Sequence, residues 1–375
     1  MNPGDVVLHS FSLSGFDVRQ KVSEFSVFEN MMKPYASVSA TIVDNADLLN
    51  NLFSQLDVEL TLSFSQLGQD PYENTFAVTS VEKGKSSSNM RVSTYTISGY
   101  SRHMLKLPRV QKAYREMSGT DIASDLIKSF LSPDKGLLVR DAARGVMGNQ
   151  HMPYNVNGVQ IHKAIRGVLE RAVSGVGSAY MFFENNKNMV VDTLENMLNN
   201  RAPVATYIQR PMGQNWLRDQ VLQNFVILSM REESRTDRSD RVQAENQQVN
   251  PFDIFSHVND NSIVGDKGLV STIVNLAYNA MRPPTYLAQT MPGRKHVAAA
   301  MDSQALTIHV PLNPALTVGS GFAVDLIAPL GDTDGQVRDF ISGNLLATEV
   351  RHSVDLGKQR MQGTSTVRGS KGGMP

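Results

Sequence analysis

The sequence predicts a mainly β protein with an α+β unit in its middle, and three observations carry that prediction. Apolar and polar residues alternate with a two-residue period before Tyr100. The same alternation returns after Leu306. Between them the apolar spacing changes to about 3.6 residues, the period of an amphipathic helix. Two antiparallel β units flanking an α+β unit, with an irregular and helical insertion, are therefore expected.

In the first unit, Val38, Ala40 and Ile42 alternate with Ser37, Ser39 and Thr41. From Leu56 to Ser65 the residues Leu56, Val58, Leu60, Leu62 and Phe64 share one face, and Asp57, Glu59, Thr61, Ser63 and Ser65 the other. Phe76 to Val81 and Arg91 to Tyr100 flank Glu82 to Asn89, whose Gly and Ser content suits a hairpin tip. The period changes near His103 to Pro108, which marks a domain boundary. Ser118 with Asp121 three positions on forms a capping pattern, and Ile122, Leu126, Ile127 and Phe130 share a helical face before Pro133. A second stripe, Ile161, Ala164, Ile165, Val168, Leu169 and Ala172, ends at Gly175. Ala179 to Phe183 and Met189 to Asp192, joined by Glu184 to Asn188, read as a hairpin.

Another strand is expected over Asn224 to Met230. It runs into Arg231 to Arg241, where eight of eleven residues are charged and the signs cancel. Arg231 to Asn261 reads as an arm or insertion, since so long an aperiodic stretch is foreign to a compact domain. Leu269, Ile273, Leu276, Ala277 and Ala280 form a helical stripe stopped by Pro283 and Pro284. Leu306, Ile308 and Val310, then Phe322, Val324 and Leu326, then Leu346, Thr348, Val350, His352 and Val354 restore the strand period. The expected divisions are 1–103 for the first β unit, 104–205 for the α+β unit and 206–375 for the second β unit. The last contains an arm and helical insertion over about 231–300 and a flexible tail over 356–375.

Composition removes several functions. The chain of 375 residues balances 36 Lys plus Arg against 36 Asp plus Glu, so no global charge draws it to nucleic acid or an anionic membrane. It has no cysteine, which excludes thiolate nucleophiles, disulfides and Cys-based metal sites. Met1 to Asp5 carries no basic and apolar secretory pattern, so export by that route is not expected. Ser303 to Val324, the longest run without charge, contains Pro311 and Pro314, and no membrane insertion is expected.

Local catalytic patterns fail on physical grounds. Gly84-Lys85-Ser86 resembles the end of a phosphate loop, but the first glycine of such a loop would fall at Thr79. Ser132-Pro133-Asp134-Lys135 fits a serine-x-x-lysine pattern without its companion motifs. Asp332-Thr333-Asp334-Gly335 looks like a calcium loop, but Gly343 stands where a bidentate Glu would close it. His151, His162, His309 and His352 show no metal-ligand spacing, and the last two read as satisfied strand histidines. Glu232 and Glu233 are neighbours whose side chains point apart. No catalytic, cofactor-binding or metal-binding residue is therefore assigned, no cofactor is implied, and no enzymatic activity is expected.

A set of strings in fixed order resembles a known family. Thr75 to Tyr100 is similar to the closing strands of a tube-like barrel, and Ser118-Gly119-Thr120-Asp121-Ile122 with Ile127 and Leu131 to the helix that opens a middle domain. Val168-Leu169-Glu170-Arg171-Ala172 followed by Ala179 to Glu184 is similar to that domain's helix and aromatic strand. Val318 to Val324 and Ile341 to His352 are similar to a second barrel. Together they resemble the baseplate hub proteins of contractile-tailed bacteriophages. These are related to the N-terminal hub region of the type VI secretion valine-glycine-repeat tip proteins.

The resemblance implies two tube-protein-like antiparallel β-barrels flanking the α+β domain. It implies a homotrimer adapting the six-fold tail tube to a three-fold central spike, with DNA only in transit through its lumen. Tail tube protein and a separate central spike protein are the implied partners, with baseplate wedge and tape measure proteins as further neighbours. The implied location is the virion, after assembly in the host cytoplasm. The rival reading is a virion-associated or secreted β-rich glycan-binding protein or glycoside hydrolase, marked by a pocket with two carboxylates about 5 to 10 Å apart.

Overall fold

The computed structural model describes residues 4–44, 48–53, 57–66, 68–84, 93–104, 108–131, 133–140, 152–170, 172, 180–199, 202–209, 225–234, 304–326, 342–356 and 361–370. The expected helix over Leu269 to Ala280, most of the Arg231 to Asn261 arm, the hairpin tip after Gly84 and the turn at Asp332 to Gly335 lie outside the described residues.

The first β unit comprises β1 (Val6–Leu13), β2 (Phe16–Asp17), β3 (Val22–Asn30), β4 (Ser37–Asp44), β5 (Glu59–Gln66), β6 (Tyr72–Lys83) and β7 (Ser93–Ser101), with the short helix α1 (Leu48–Phe53) between β4 and β5. They form as the alternation predicts: in β3, Val22, Phe25 and Val27 turn inward while Ser23, Glu24 and Ser26 turn out. The strands pair antiparallel in the order β3-β4-β7-β6-β5-β1. Phe11, Phe25, Phe64 and Tyr72 chain their rings through this core, with centroids 5.9, 5.2 and 5.2 Å apart. The outward face of β5 is less open than its alternation suggests. Ser63 and Ser65 are buried, the first donating to Glu73 Oε1 at 3.2 Å and the second bonded to His9 Nε2 at 2.9 Å.

The α+β unit contains β8 (Arg109–Met117), α2 (Gly119–Leu126), β9 (Gly136–Val139), β10 (Met152–Gln160), α3 (Ile161–Leu169), β11 (Tyr180–Glu184), β12 (Asn188–Thr193) and α4 (Leu194–Asn199). Ser118 caps α2 as predicted, its Oγ accepting the Asp121 amide at 3.0 Å. The helix passes into a π-helical turn, Ile127–Leu131, before Pro133. β8 pairs with β10, and a separate sheet runs β11-β12-β9 with β9 parallel to β12. The alternation of β12 divides its side chains between two cores. Met189 and Val191 join Ile122, Leu126, Ile165 and Val168, whereas Val190 with Phe183 joins the second β unit.

That second unit has β13 (Pro203–Gln209), β14 (Val226–Ile227), β15 (Ser229–Ser234), β16 (Gln304–Pro311), β17 (Gly321–Asp325), β18 (Gly343–Asp355) and β19 (Gln362–Ser370). Its core gathers Tyr207, Ile308, Val310, Phe322, Leu346, Val350 and Val367. The two β units are one hydrogen-bonded sheet. β18 pairs with β17 through residues 343–346, then along the same side with β3 through 349–355, and with β19 on its other side. The start of β1 meets the start of β19, where Val6 N donates to Met361 O at 3.3 Å and Gly363 N to Gly4 O at 2.9 Å. Strand pairing thus crosses the expected boundaries at 103 and 206.

The expectation of a flexible tail is overturned over residues 362–370. β19 lies between β16 and β18 in the sheet, with Gly363, Ser365, Val367 and Gly369 turned inward. Those inward positions are small because they are crowded. A Cβ on Gly363 would stand 2.8 to 2.9 Å from Val6 and Leu312 side-chain atoms, and one on Gly369 would collide with the Phe322 ring. A composition that suggests disorder is here the narrow side of an interior strand.

Candidate functional site

The three units meet around buried polar side chains that no sequence motif marks. Glu184 ends β11 on an inward step and is 1% exposed. Its Oε1 accepts from Ser101 Oγ at 2.9 Å and Asn74 Nδ2 at 3.4 Å, both in the first β unit, and pairs with Lys135 Nζ at 2.9 Å. Its Oε2 accepts the Ala36 amide at 3.3 Å. Lys135 also donates to Asn185 O at 3.0 Å. One carboxylate thereby holds the α+β unit to two strands and a loop of its neighbour.

Glu29 occupies the inward step of β3 after Phe25 and Val27, and is fully buried. Its Oε2 accepts the Val318 amide at 3.0 Å, which ties the first β unit to the loop before β17. Its carboxyl lies beside the buried Tyr72 hydroxyl, which also faces the Asn74 side chain. Burial pushes the Glu29 carboxyl up to about 7, against the opposing pull of the Val318 amide and the Lys135 charge. Burial likewise raises the Tyr72 phenol well above its ordinary value.

His352 in β18 stands next in this cluster, its ring edge-on to Phe64 and Tyr72 at 6.1 and 5.8 Å. Nε2 donates to Leu316 O at 3.1 Å, which leaves Nδ1 to accept from Ser365 Oγ at 2.9 Å. Burial pushes the imidazole down to about 4, so it is neutral at pH 7 with both nitrogens engaged. The loop Leu312 to Ser320 closes the junction. Gly319 has φ +84, and a Cβ there would stand 2.7 Å from Phe183 Cζ.

His309 and His352 are satisfied strand histidines, the former bonded through Nδ1 to Thr366 Oγ1 at 2.9 Å. Asp134 and Lys135 of the serine-x-x-lysine string pair with Arg102 and Glu184. Gly84 is described but Lys85 and Ser86 are not, and Asp332 to Gly335, His151 and Ser132 lie outside the described residues. Among the described residues no group of three His, Asp or Glu side chains is placed to hold a metal. Sequence reading missed Glu29, Glu184 and Lys135. The available signal was a carboxylate on the inward step of an alternating strand, at Glu29 after Phe25 and Val27 and at Glu184 after Tyr180 and Phe182. Both carboxylates are buried at the junction and tie the units together, Glu29 through the Val318 amide and Glu184 through Ser101, Asn74, Ala36 and Lys135.

No protein-family model and no curated protein matches the sequence. Solved structures do. A tail protein from Neisseria meningitidis superposes with a TM-score of 0.56 at 14% identity, over 98% of this chain and 96% of that one. The 43 kDa tail protein of prophage MuSo2 from Shewanella oneidensis gives 0.58 at 11% identity, over 98% of both chains. An Escherichia coli protein described as a type VI secretion component with structural similarity to the T4 tail proteins gp27 and gp5 gives 0.51 at 10% identity, over 97% of this chain and 76% of that one. At these identities the likeness is one of fold, and it runs from end to end: the chain has the β-rich fold of phage tail proteins.

Proposed function

We propose that the chain is a structural baseplate hub of a phage tail. Three copies form a ring that adapts the six-fold tail tube to a three-fold central spike and lines the channel for DNA ejection. The observation that carries the reading is the full-length fold likeness to two tail proteins. It is supported by two β units fused into one sheet through β18, because two such units in each of three copies present six to a hexameric tube. In this reading residues 1–103, 104–205 and 206–375 are the three domains, with β18 serving both β domains. The partners are a second and third copy, the tail tube protein and a separate spike. The location is the virion tail, after assembly in the host cytoplasm. The role is adaptor rather than enzyme.

Native mass spectrometry of the assembled hub tests this directly. The expected species is three times 41.3 kDa, and electron microscopy with the spike bound is expected to show a channel surrounded by the β units. A monomer or two-fold dimer in the assembled particle, or β units that enclose no channel, refutes the assignment. Zymograms on peptidoglycan and polysaccharide are expected to show no clearing, whereas clearing abolished by one carboxylate substitution would favour the hydrolase.

A further inference from the structure

The sheet that joins the two β units has an outward face, and one row across it consists of hydroxyls. Directly paired residues run from Thr364 in β19 to Ser353 in β18, Ser26 in β3, Ser39 in β4, Ser98 in β7 and Ser80 in β6. Opposed residues of a sheet project to the same side, so six strands contribute one hydroxyl each to a row about 24 Å long, at about 4.8 Å per strand. All six are exposed or half-exposed. The opposite side of the same strands buries Val27, Val38, Ile97 and His352. Strands from both ends of the chain build this row.

The flanking rows give the face its electrostatics. On one side stand Asp355, Glu24, Thr41, Thr96 and Glu82, paired strand to strand, with Thr41 Oγ1 donating to Glu24 Oε1 at 3.0 Å. On the other stand Thr366, Arg351, Phe28, Ser37 and Tyr100. Arg351 turns back to the hydroxyl row, its Nη2 donating to Ser26 Oγ at 3.2 Å. DNA affinity comes chiefly from cations that neutralise phosphates and release counterions. The row itself is neutral, and its borders carry Glu24, Glu82 and Asp355 on one side against Arg351 and Lys33 on the other. It therefore offers hydrogen bonds that water satisfies equally well and no run of cations to hold a phosphate.

We propose that this hydroxyl row is the channel-facing surface of the ring, and that its occupant is DNA in passage, which it lets by without binding. The assignment rests on the hub reading above and adds to it which face of the sheet turns inward. The absence of native cysteine makes single thiols clean probes. Ser39→Cys and Ser98→Cys in the assembled ring are expected to react with a small maleimide and to lose reactivity toward a maleimide on a long polyethylene glycol chain. Arg166→Cys, on the exposed face of α3, is expected to react with both.

Ring mass is measured first. No ring ends the hub reading and this assignment with it, whereas an intact ring in which Ser39→Cys reacts with both reagents, or with neither, ends this assignment alone. A second arm reads DNA release from particles. Ser39→Arg with Ser98→Arg is expected to slow release at low salt and to recover as salt rises, while Ser39→Gln with Ser98→Gln keeps the parent rate. Release by the arginine pair at the parent rate in low salt overturns the proposal.

Discussion

The two β units of this protein are made in different ways from similar material. In the first, hairpin neighbours pair: β3 with β4, β5 with β6, β6 with β7, and large apolar residues fill the inward steps. In the second, β13 pairs in parallel with β17 across more than a hundred residues, and β19 takes the place between β16 and β18 from the end of the chain. Loop closure is the cost of that second arrangement, and it grows slowly with loop length, so long connections are tolerated once the core is formed. Most pairs of the first unit are hairpin neighbours, with β4–β7 and β1–β5 closing it. In the second, β17–β18 and β18–β19 are neighbours, whereas the β13–β17, β15–β16 and β16–β19 pairs depend on packing among elements far apart in sequence.

The comparison breaks most severely at β19. Removing residues 362–370 takes out a strand bonded on both sides and exposes Leu306, Leu346 and Phe322. The expected result is loss of the cooperative thermal transition by circular dichroism, with an insoluble product. A truncated chain that melts at the parent temperature would falsify the placement of β19. In the first unit, Leu60→Lys is expected to prevent folding, because it puts an unpaired ammonium on a fully buried step of β5. Soluble, protease-resistant Leu60→Lys protein would contradict the inward assignment of that face.

The junction between the units carries the next effect, which is proton-linked. Glu29 titrates at about 7 when folded against an ordinary 4.5. Between those values the folded chain keeps a proton that the unfolded chain releases, and stability falls as pH rises. His352 titrates at about 4 against an ordinary 6.5, so the unfolded chain takes up a proton first and stability falls as pH drops through that window. Each contribution amounts to about 3 kcal/mol at roughly 1.4 kcal/mol per unit, and between pH 4.5 and 6.5 the two oppose one another. Glu29→Gln is expected to leave stability rising with pH across this interval, and His352→Gln to leave it falling. Denaturant midpoints measured across the interval check both slopes, and two variants with the same slope as the parent would remove the linkage from these residues.

The smallest effect sharpens the first unit. Thr61→Lys lies one residue beyond Leu60 and on the exposed side, so its stability is expected within about 0.5 kcal/mol of the parent. A loss as large as that of Leu60→Lys would mean that β5 is covered on both faces at this position.

By itself the sequence determined the strand periods around Val38 to Ile42 and Leu346 to Val354, the capped helix from Ser118, the stripe from Ile161 to Leu169 and the hairpin at Phe183 and Val190. Each is a local alternation of solvation, and burial acts on it residue by residue. The order of strings from Thr75 to His352 was also enough to indicate the tail-protein fold that the chain shares with solved structures. Tertiary structure alone decided that β18 serves two units, that Glu29 and Glu184 are sealed where three units meet, and that hydroxyls from six strands fall into line. It also decided the fate of the C-terminal segment. Gly363 and Gly369 are small because Leu312 and Phe322 occupy their space, a reason that resides in those distant side chains and not in the segment itself.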